Sequence, residues 1–594
     1  HRTRAIIVSL ATLLTVQLWC LVLSIYSLVI LLYLLPAALF LALLAVFGLR
    51  RRIATIGALA LLAAVIVAGS AIVLPEWHNA VKGTAPYEPG TRLEQGTYER
   101  LHGTLYGRAR YWVYAVRVLP EAISNPQPGD HVSVLRPLIG YGPETYVITT
   151  QKHYPPEYRR ASTSGASFRD RPHNHFIYLA TTTGLLGLGA FLVIIGGFFV
   201  LLKRLLRSLC VMSSSGLFAL AAGCGTTGFL AHGIFNPMAI SETSLLWTYL
   251  ALVPALLRRH EQQSFPDAVQ QFGDASHSDA DGNSRGRVAI VCALLCAALL
   301  AGVLPAVRSI MAEQALLQAD RMSASGYPGA VFVYNRATEL QPREPVYWGA
   351  LGAYAHSIAL TAPDETRTDI LELSIIALTE ARDNDPLRAF WHEQLGDGLL
   401  YTATTTDIAT VQDALRSYER ALELSPRNAV LANRIAVAHM VGHDFDAAAR
   451  ALDRAADYDP AWSRTEHLRI ALTALEGDGE GAATTLTESI RTSPAEILTF
   501  ARVSASPVRT YGLFDKVAVV LQPALEGMPD DFAALSARAV ITALNDEETQ
   551  ASVLFSEAAR AATSEDEIGA LEATLRYLSG FTPALHTMPA TGAV

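Results

Sequence analysis

The sequence has little charge for its length. Only 17% of the 594 residues are Asp, Glu, Lys or Arg, whereas 51% are hydrophobic. This composition is too apolar for one soluble domain and too charged for a protein that lies wholly within a membrane. Residues 1–310 carry 25 bases and 15 acids, and residues 311–594 carry 21 bases and 40 acids. We therefore expect a basic membrane half and an acidic soluble half, and the acidic half argues against a nucleic-acid partner.

Cysteine is also scarce, which excludes a disulfide framework. All five cysteines fall in long apolar runs, at Cys20, Cys210, Cys224, Cys292 and Cys296. Cysteines inside membrane spans are not expected to form structural disulfides, even in an oxidising compartment. The chain begins with a histidine rather than a methionine, so we expect that a longer protein supplies further spans before it.

Long uncharged runs predict seven transmembrane helices, since a bilayer core needs about 20 apolar residues per helix. The predicted spans cover residues 5–23, 27–48, 53–74, 174–202, 210–233, 241–257 and 288–308. Basic clusters flank these spans, and with seven spans all the clusters lie on the same side of the membrane. The positive-inside rule makes that side cytoplasmic. The loop 75–173 and everything after residue 310 are then predicted to be extracytoplasmic, on a bacterial inner membrane protein.

The soluble half contains a repeat that ends in proline. Similar segments end at Pro342, Pro386, Pro426, Pro460, Pro494 and Pro529, with small pairs such as Leu351-Gly352 and Leu395-Gly396 following the first two. Proline stops a helix, and a glycine lets two helices approach closely. The pattern resembles the tetratricopeptide repeat, a helix-turn-helix unit of about 34 residues. It predicts an α-solenoid over residues 311–580 that binds a protein partner, with the repeat fading from about residue 500.

Three patches of the outer loop carry the candidate chemistry. The first is Gly107-Arg-Ala-Arg-Tyr-Trp112, the second Leu135-Arg-Pro-Leu-Ile-Gly-Tyr-Gly-Pro-Glu144, and the third Asp170-Arg-Pro-His-Asn174, followed by Gly184-Leu-Leu-Gly187. Taken together in this order, they resemble the O-antigen ligase family of bacterial membrane glycosyltransferases of the GT-C type. The resemblance covers residues 1–257. It implies transfer of a glycan from an undecaprenyl-diphosphate carrier to a hydroxyl of a lipid, glycan or protein acceptor, without a cofactor.

The resemblance also implies which residues act. The histidine of the family matches His173, which is expected to be catalytic, and its loop arginine best matches Arg108. Arginine forks suit phosphate oxygens, and a neutral imidazole can take a hydroxyl proton near physiological pH. The residues expected to bind substrate are Arg108, Arg110, Arg136, Arg171 and Asn174.

Each of these residues also has an interpretation that involves no catalysis. His173 could lie at the membrane interface without a catalytic role, and Asn174 could cap the next helix. A metal pair of His173 and His175 lacks a third ligand with convincing spacing, so no metal is expected. Headgroup binding explains a basic loop equally well. Spans nearly free of charge, without an inverted repeat, argue against a channel or transporter.

One departure from the family favours a non-catalytic scaffold that acts through its repeats. Many members carry an arginine at the outer end of a span before the loop, whereas no arginine lies near Ser24-Ile-Tyr-Ser27. The predicted architecture is thus all-α: a polytopic helical membrane domain (1–257, with its outer loop 75–173), a cytoplasmic linker (258–287), a last span (288–310), the repeat domain (311–580) and a tail (581–594).

Overall fold

The computed structural model describes residues 104–124, 131–143, 145–153, 171–208, 213–235, 240–264, 293, 305–405 and 409–580. These residues are helical or lie in turns, and no strand occurs among them, in agreement with the all-α prediction. They divide into two compact units, one containing the described residues up to 264 and the other those from 305 onward. The predicted spans at 5–23, 27–48 and 53–74 and the tail 581–594 lie outside the described residues.

The first unit begins with the segments that carry the three patches. Helix α1 spans Thr104–Ser124, a short 3₁₀ turn covers Ser133–Leu135, and α2 spans Arg136–Ile139. Helix α3 spans Tyr146–Thr150 and runs into a 3₁₀ turn at Gln151–His153. Helix α4 spans His175–Thr182. Helix α1 packs against α2, α3 and α4.

Three long helices complete this unit: α5 (Gly184–Ser208), α6 (Ser214–Phe235) and α7 (Ile240–Ser264). Within the described residues, two helices are long and apolar enough to cross a membrane by length and composition, Gly184–Ser208 and Ser215–Ile234, with mean hydropathies of 2.7 and 1.4. Within the predicted span 174–202, the helix is interrupted at Thr183, between α4 and α5. The predicted span 241–257 lies within α7, and the polytopic architecture stays a prediction.

Helix α5 has one packed face and one bare apolar face. Phe191, Ile195, Phe198, Leu202 and Leu205 are buried in a core shared with α6 and α7. On the other side, at seven-residue intervals, Leu186, Val193 and Val200 are 63%, 74% and 68% exposed. Aliphatic side chains exposed in this way are costly in water and suit a hydrocarbon solvent. The arrangement therefore agrees with a membrane-spanning α5.

Two of the basic clusters lie at the same end of this helical bundle. A guanidinium nitrogen of Arg204, near the end of α5, lies 2.7 Å from a carboxylate oxygen of Glu261, near the end of α7. Helix α5 and helix α7 are therefore parallel, and the cluster Lys203–Arg207 is close to Arg258-Arg259. The sequence predicted that both clusters share one side of the membrane. The third patch, which precedes α4 and α5, lies toward the opposite end of α5.

The second unit is a chain of helices connected by short turns. Residues 305–324 are helical (α8). The helices that follow are α9 (Ala330–Leu340), α10 (Pro345–Ala359), α11 (Asp364–Asn384), α12 (Ala389–Thr405), α13 (Ala409–Leu424), α14 (Ala429–Val441), α15 (Phe445–Tyr458), α16 (Ser463–Leu475), α17 (Gly479–Thr492), α18 (Glu496–Val503), α19 (Phe514–Glu526), α20 (Phe532–Leu544), α21 (Glu548–Ala561) and α22 (Glu565–Leu578). Helices α10 and α11, α12 and α13, α14 and α15, α16 and α17, and α20 and α21 pack as hairpins.

The repeat pattern correctly predicts where these helices end. The helices before the six prolines end two or three residues earlier, at Leu340, Asn384, Leu424, Tyr458, Thr492 and Glu526. The glycines mark close contacts, as expected: a Cβ on Gly352 would lie 2.6 Å from Cγ of Leu378, and one on Gly396 would lie 2.5 Å from the Tyr418 ring. Stacked helix pairs of this kind bury a continuous core that no single pair could bury alone.

Two features of the structure lie at predicted boundaries. The proposed junction between span and repeat domain at 310/311 falls inside α8, which continues without a break from residue 305 to residue 324. The predicted fading from about residue 500 corresponds to a local irregularity, since a π-helical segment at Ser504–Val508 separates α18 from α19. Regular pairing then resumes with α20 and α21.

Candidate functional site

The second and third patches meet through their backbones. The amide of Tyr141 donates to the carbonyl of Thr181 at 3.0 Å, and the amide of Gly142 donates to the carbonyl of Thr182 at 2.8 Å. These carbonyls belong to the last turn of α4, where a helix leaves its C=O groups without partners in the helix. The Gly-rich patch therefore caps the end of the helix that begins at the third patch.

Two glycines make this approach possible. A Cβ on Gly140 would lie 2.4 Å from the carbonyl carbon and oxygen of Thr182, and a Cβ on Gly184 would lie 2.1 Å from the carbonyl oxygen of Leu138. Both glycines also have positive φ angles, 72° and 70°, which residues with a side chain rarely adopt. Gly184 follows the end of α4, the position where a left-handed glycine commonly terminates a helix.

The same loop is attached to the arginine-bearing helix α1. The hydroxyl of Tyr141 donates to the carbonyl of Val118 at 3.4 Å, and that of Tyr146 donates to the carbonyl of Tyr111 at 3.3 Å. The Tyr146 side chain is completely buried. All three patches thus belong to one packed structure at the amino-terminal end of α5.

His173 lies next to α1. Its ring centroid is 6.4 Å from that of Tyr111, with the two planes inclined at 36°. Its backbone has a φ of 52°, a left-handed conformation in which His is more frequent than most residues with a side chain. Arg108 precedes Tyr111 by three residues in α1, which is one helical turn on the same face. The structure therefore brings His173 close to the helical face that carries Arg108.

The side chains of Arg136 and Arg171 both contact nearby residues of the first unit. A guanidinium nitrogen of Arg136 donates to the carbonyl of Gly140 at 3.2 Å, and its Cζ lies 5.2 Å from the centre of the Tyr141 ring. The Cζ of Arg171 lies 5.6 Å from the centre of the Tyr178 ring. Arg136 stabilises the Gly-rich turn, so a phosphate would have to share it. Arg110 lies in α1, but its side chain is outside the described part of the structure.

Asn174 is the N-cap of α4. Its Oδ1 accepts the amide of Ile177 at 2.9 Å, and the side chain is buried. The capping interpretation of this residue is therefore confirmed, whereas a substrate contact stays a prediction. The next histidine, His175, places its ring edge against the ring of Phe191, with 5.8 Å between the centroids. No group of three or more potential metal ligands occurs among the described residues.

No protein-family model matches the chain. No curated protein matches it either. Among solved structures, the chain is similar to the crystal structure of yeast Tom70, with a TM-score of 0.23 and 12% sequence identity over 80% of this chain and 98% of that one. A TM-score this low establishes neither a shared fold nor a shared function.

Several residues that position the site were not singled out from the sequence. Tyr111 links His173 to α1, and Tyr146 anchors the loop after the Gly-rich patch. A carboxylate oxygen of Glu121 in α1 lies 3.3 Å from Lys152 Nζ and 3.2 Å from His153 Nε2. These contacts join positions from about 30 to about 60 residues apart, and tyrosine is too common in interfacial segments to mark such a role by its type alone. The only available signal for Tyr111 was its place between Arg110 and Trp112.

Proposed function

We propose that the first unit is a membrane glycosyltransferase of the O-antigen ligase type, which transfers a glycan from a polyprenyl-diphosphate carrier to an acceptor hydroxyl. The observation that supports this most is the backbone contact between the Gly140 and Gly184 segments. It joins the second patch to the segment that follows the third patch, at one end of a helix with a bare apolar face. The hydroxyls of Tyr141 and Tyr146 attach the helix of the first patch to the same structure.

The proposed chemistry divides between His173 and the positive groups around it. His173 accepts the proton of the acceptor hydroxyl while the hydroxyl oxygen attacks the anomeric carbon of the glycan. The bond between that carbon and the diphosphate oxygen breaks, and the carrier leaves as a lipid diphosphate. Arg108 offsets the charge of the leaving group, and so does the amino-terminal end of α4, which starts two residues after His173.

The position of these groups suits a substrate that is half lipid and half sugar. Helix α5 is apolar from Gly184 onward, so His173 and Arg108 belong to the polar layer above it. The diphosphate of a polyprenyl carrier lies at the same depth, between the hydrocarbon core and the water. A second unit of stacked helix pairs then offers a surface for a protein partner or an acceptor.

The deciding experiment measures transfer from a polyprenyl-diphosphate glycan in membranes that contain the full-length protein. His173→Ala and His173→Asn should both lose at least about a hundredfold in rate, the lower end of what general base catalysis contributes. The asparagine variant tolerates the left-handed backbone, so its loss reports on the imidazole. Arg108→Gln should lose more activity than Arg108→Lys. His175→Ala is the matched control, since it removes a neighbouring imidazole that packs on Phe191.

The alternative is a non-catalytic scaffold of polysaccharide assembly, favoured by the absence of an arginine near Ser27. If an intact, full-length chain shows no transfer with any acceptor class, the scaffold is the better interpretation. If His173→Asn and the unaltered chain transfer at equal rates, His173 has no part in the mechanism.

A further inference from the structure

The second unit contains a cavity of roughly 250 Å³ between its helices. Residues of α12, α13, α14, α16 and the segment after α18 line it, among them Tyr418, Asn433, Arg434, Trp462, Arg464 and Ser506. Apolar and aromatic walls with a few polar groups are the usual composition of a small-molecule site. Its volume lies below the ~300–1,000 Å³ of pockets for drug-sized ligands, so it suits a ligand with a single ring.

One of the two arginines in the cavity is already neutralised. Arg434 pairs with Asp397, and another of its guanidinium nitrogens lies 3.0 Å from a carboxylate oxygen of Glu393. Asp397 also accepts the hydroxyl of Tyr418 at 2.7 Å. Because two carboxylates already offset the charge of the Arg434 guanidinium, this residue does not require a further anion. Of this network, Arg434 and Tyr418 line the cavity.

The second arginine, Arg464, has no such partner. One of its nitrogens donates to the carbonyl of Ser506 at 3.0 Å, and no carboxylate pairs with it in the part of the chain that the structure describes. Burial, and then the positive charge of Arg434, lowers its pKa. Holding a half-buried guanidinium without a counter-charge is costly, so a bound anion would relieve that cost.

Asn433 supplies a second group without a partner. Its Nδ2 donates to the hydroxyl of Thr465 at 3.0 Å, whereas its Oδ1 is buried and accepts no hydrogen bond from the described residues. The residue is only 4% exposed and lines the cavity. A buried acceptor left unpaired is destabilising, and a hydroxyl or amide of a ligand would satisfy it.

We propose that this cavity binds a sugar acid, either free or as one unit of an acidic glycan. Arg464 binds the carboxylate, Asn433 Oδ1 accepts a ring hydroxyl, and the Trp462 ring covers one face of the sugar. A carboxylate alone would satisfy Arg464. The unpaired Asn433 Oδ1 and the Trp462 ring, however, favour a ligand that also has hydroxyl donors and a flat face. The small volume argues against an extended peptide. The site is independent of the proposed transferase.

The proposal is tested by calorimetric titration of the full chain, purified in detergent, with D-glucuronate, D-glucose, an oligomer of glucuronate and an acidic hexapeptide. Glucuronate should bind, and glucose should bind at least ~10-fold more weakly because it lacks the charge-assisted contact. Arg464→Gln should weaken glucuronate by ~10- to 100-fold. Equal or tighter binding of the oligomer identifies a glycan as the source of the acid, whereas binding of the monomer alone identifies a free acid.

Two variants keep the test independent of folding. Asn433→Asp places a negative charge beside the ligand, so it should weaken glucuronate far more than glucose. Arg469→Gln is the matched control on the same helix, since Arg469 pairs with Asp453 outside the cavity, and it should bind as the unaltered chain does. Failure of glucuronate and its oligomer to bind, or tighter binding of the hexapeptide that depends on Arg464, would overturn the proposal.

Discussion

Gly140 and Gly184 lie so close that each occupies the space a side chain on the other would need. A Cβ on Gly140 would be 2.5 Å from the amide nitrogen of Gly184, and a Cβ on Gly184 would be 2.5 Å from the amide nitrogen of Gly140. The clashing atoms belong to backbone, which cannot rotate out of the way as a side chain can. This contact is the physical link between the Gly-rich turn and the helix that follows His173.

Substitution of either glycine should therefore be severe. Gly140→Ala and Gly184→Ala each combine a backbone clash with a strained positive φ, which alone costs about 1–3 kcal/mol. We expect a clear fall in the thermal unfolding midpoint of the full chain in detergent and loss of any transferase activity. Gly189→Ala is the control, because a Cβ there meets nothing within 4 Å. An unaltered midpoint in Gly140→Ala would mean that the loop does not dock as described.

The buried pair of Arg434 with Glu393 makes a second prediction. Arg434→Met leaves two carboxylates buried without their cation, and breaking a buried pair in this way costs about 3–5 kcal/mol. Arg416→Met, at an exposed arginine that pairs with Asp413, should cost less than about 1 kcal/mol. Chemical unfolding monitored by circular dichroism measures both.

Acid should partly rescue the Arg434→Met variant. Burial raises the pKa of Glu393, and removal of the arginine raises it further because the opposing positive charge is gone. A carboxyl whose pKa is raised in the folded state stabilises the fold at a pH below its unfolded-state pKa. This stabilisation is lost as the pH rises through its folded-state pKa. The variant's deficit should be smaller near pH 4.5 than near pH 7. A deficit that is the same at both values would contradict the burial of Glu393.

His356 makes the stability of the repeats sensitive to mild acid. Burial lowers its pKa, and its ring packs edge-on against Tyr401 with 5.5 Å between centroids. The unfolded chain therefore binds a proton at His356 more readily than the folded chain does. The fold is fully stable above the unfolded-state pKa near 6.5. Its stability falls as the pH decreases from there toward the folded-state pKa. Each unit of difference is worth about 1.4 kcal/mol.

His356→Phe should reduce this acid dependence while keeping the aromatic contact. The measurement is the unfolding midpoint of the full chain from pH 7.5 to pH 5. The control is His443→Asn, at an exposed histidine with a positive φ that asparagine tolerates, and it should leave the slope unaltered. If His356→Phe also leaves the slope unaltered, then the pKa of His356 does not differ between the folded and the unfolded chain, and burial does not lower it.

The sequence predicted much of the solenoid because its signals are local. Proline disfavours the interior of a helix because it lacks the amide hydrogen, so Pro342 and Pro386 in their repeated context marked helix ends without any knowledge of the packing. The Arg434 network was not predicted, since Glu393 and Asp397 look like ordinary solvated charges on a helix. Their separation of four residues places them on one face, but only the neighbouring helix shows that this face is buried.

The candidate site divides in the same way. The sequence by itself determined the residue types at hand: a histidine, several arginines and a Gly-rich turn before a long apolar helix. It could not determine that Gly140 packs on Gly184 or that His173 lies beside Tyr111, because these contacts depend on how distant segments fold together. Helix ends and apolar runs follow from covalent geometry and solvation along the chain. A contact between two backbone segments distant in sequence, by contrast, forms only when the tertiary structure packs those segments together.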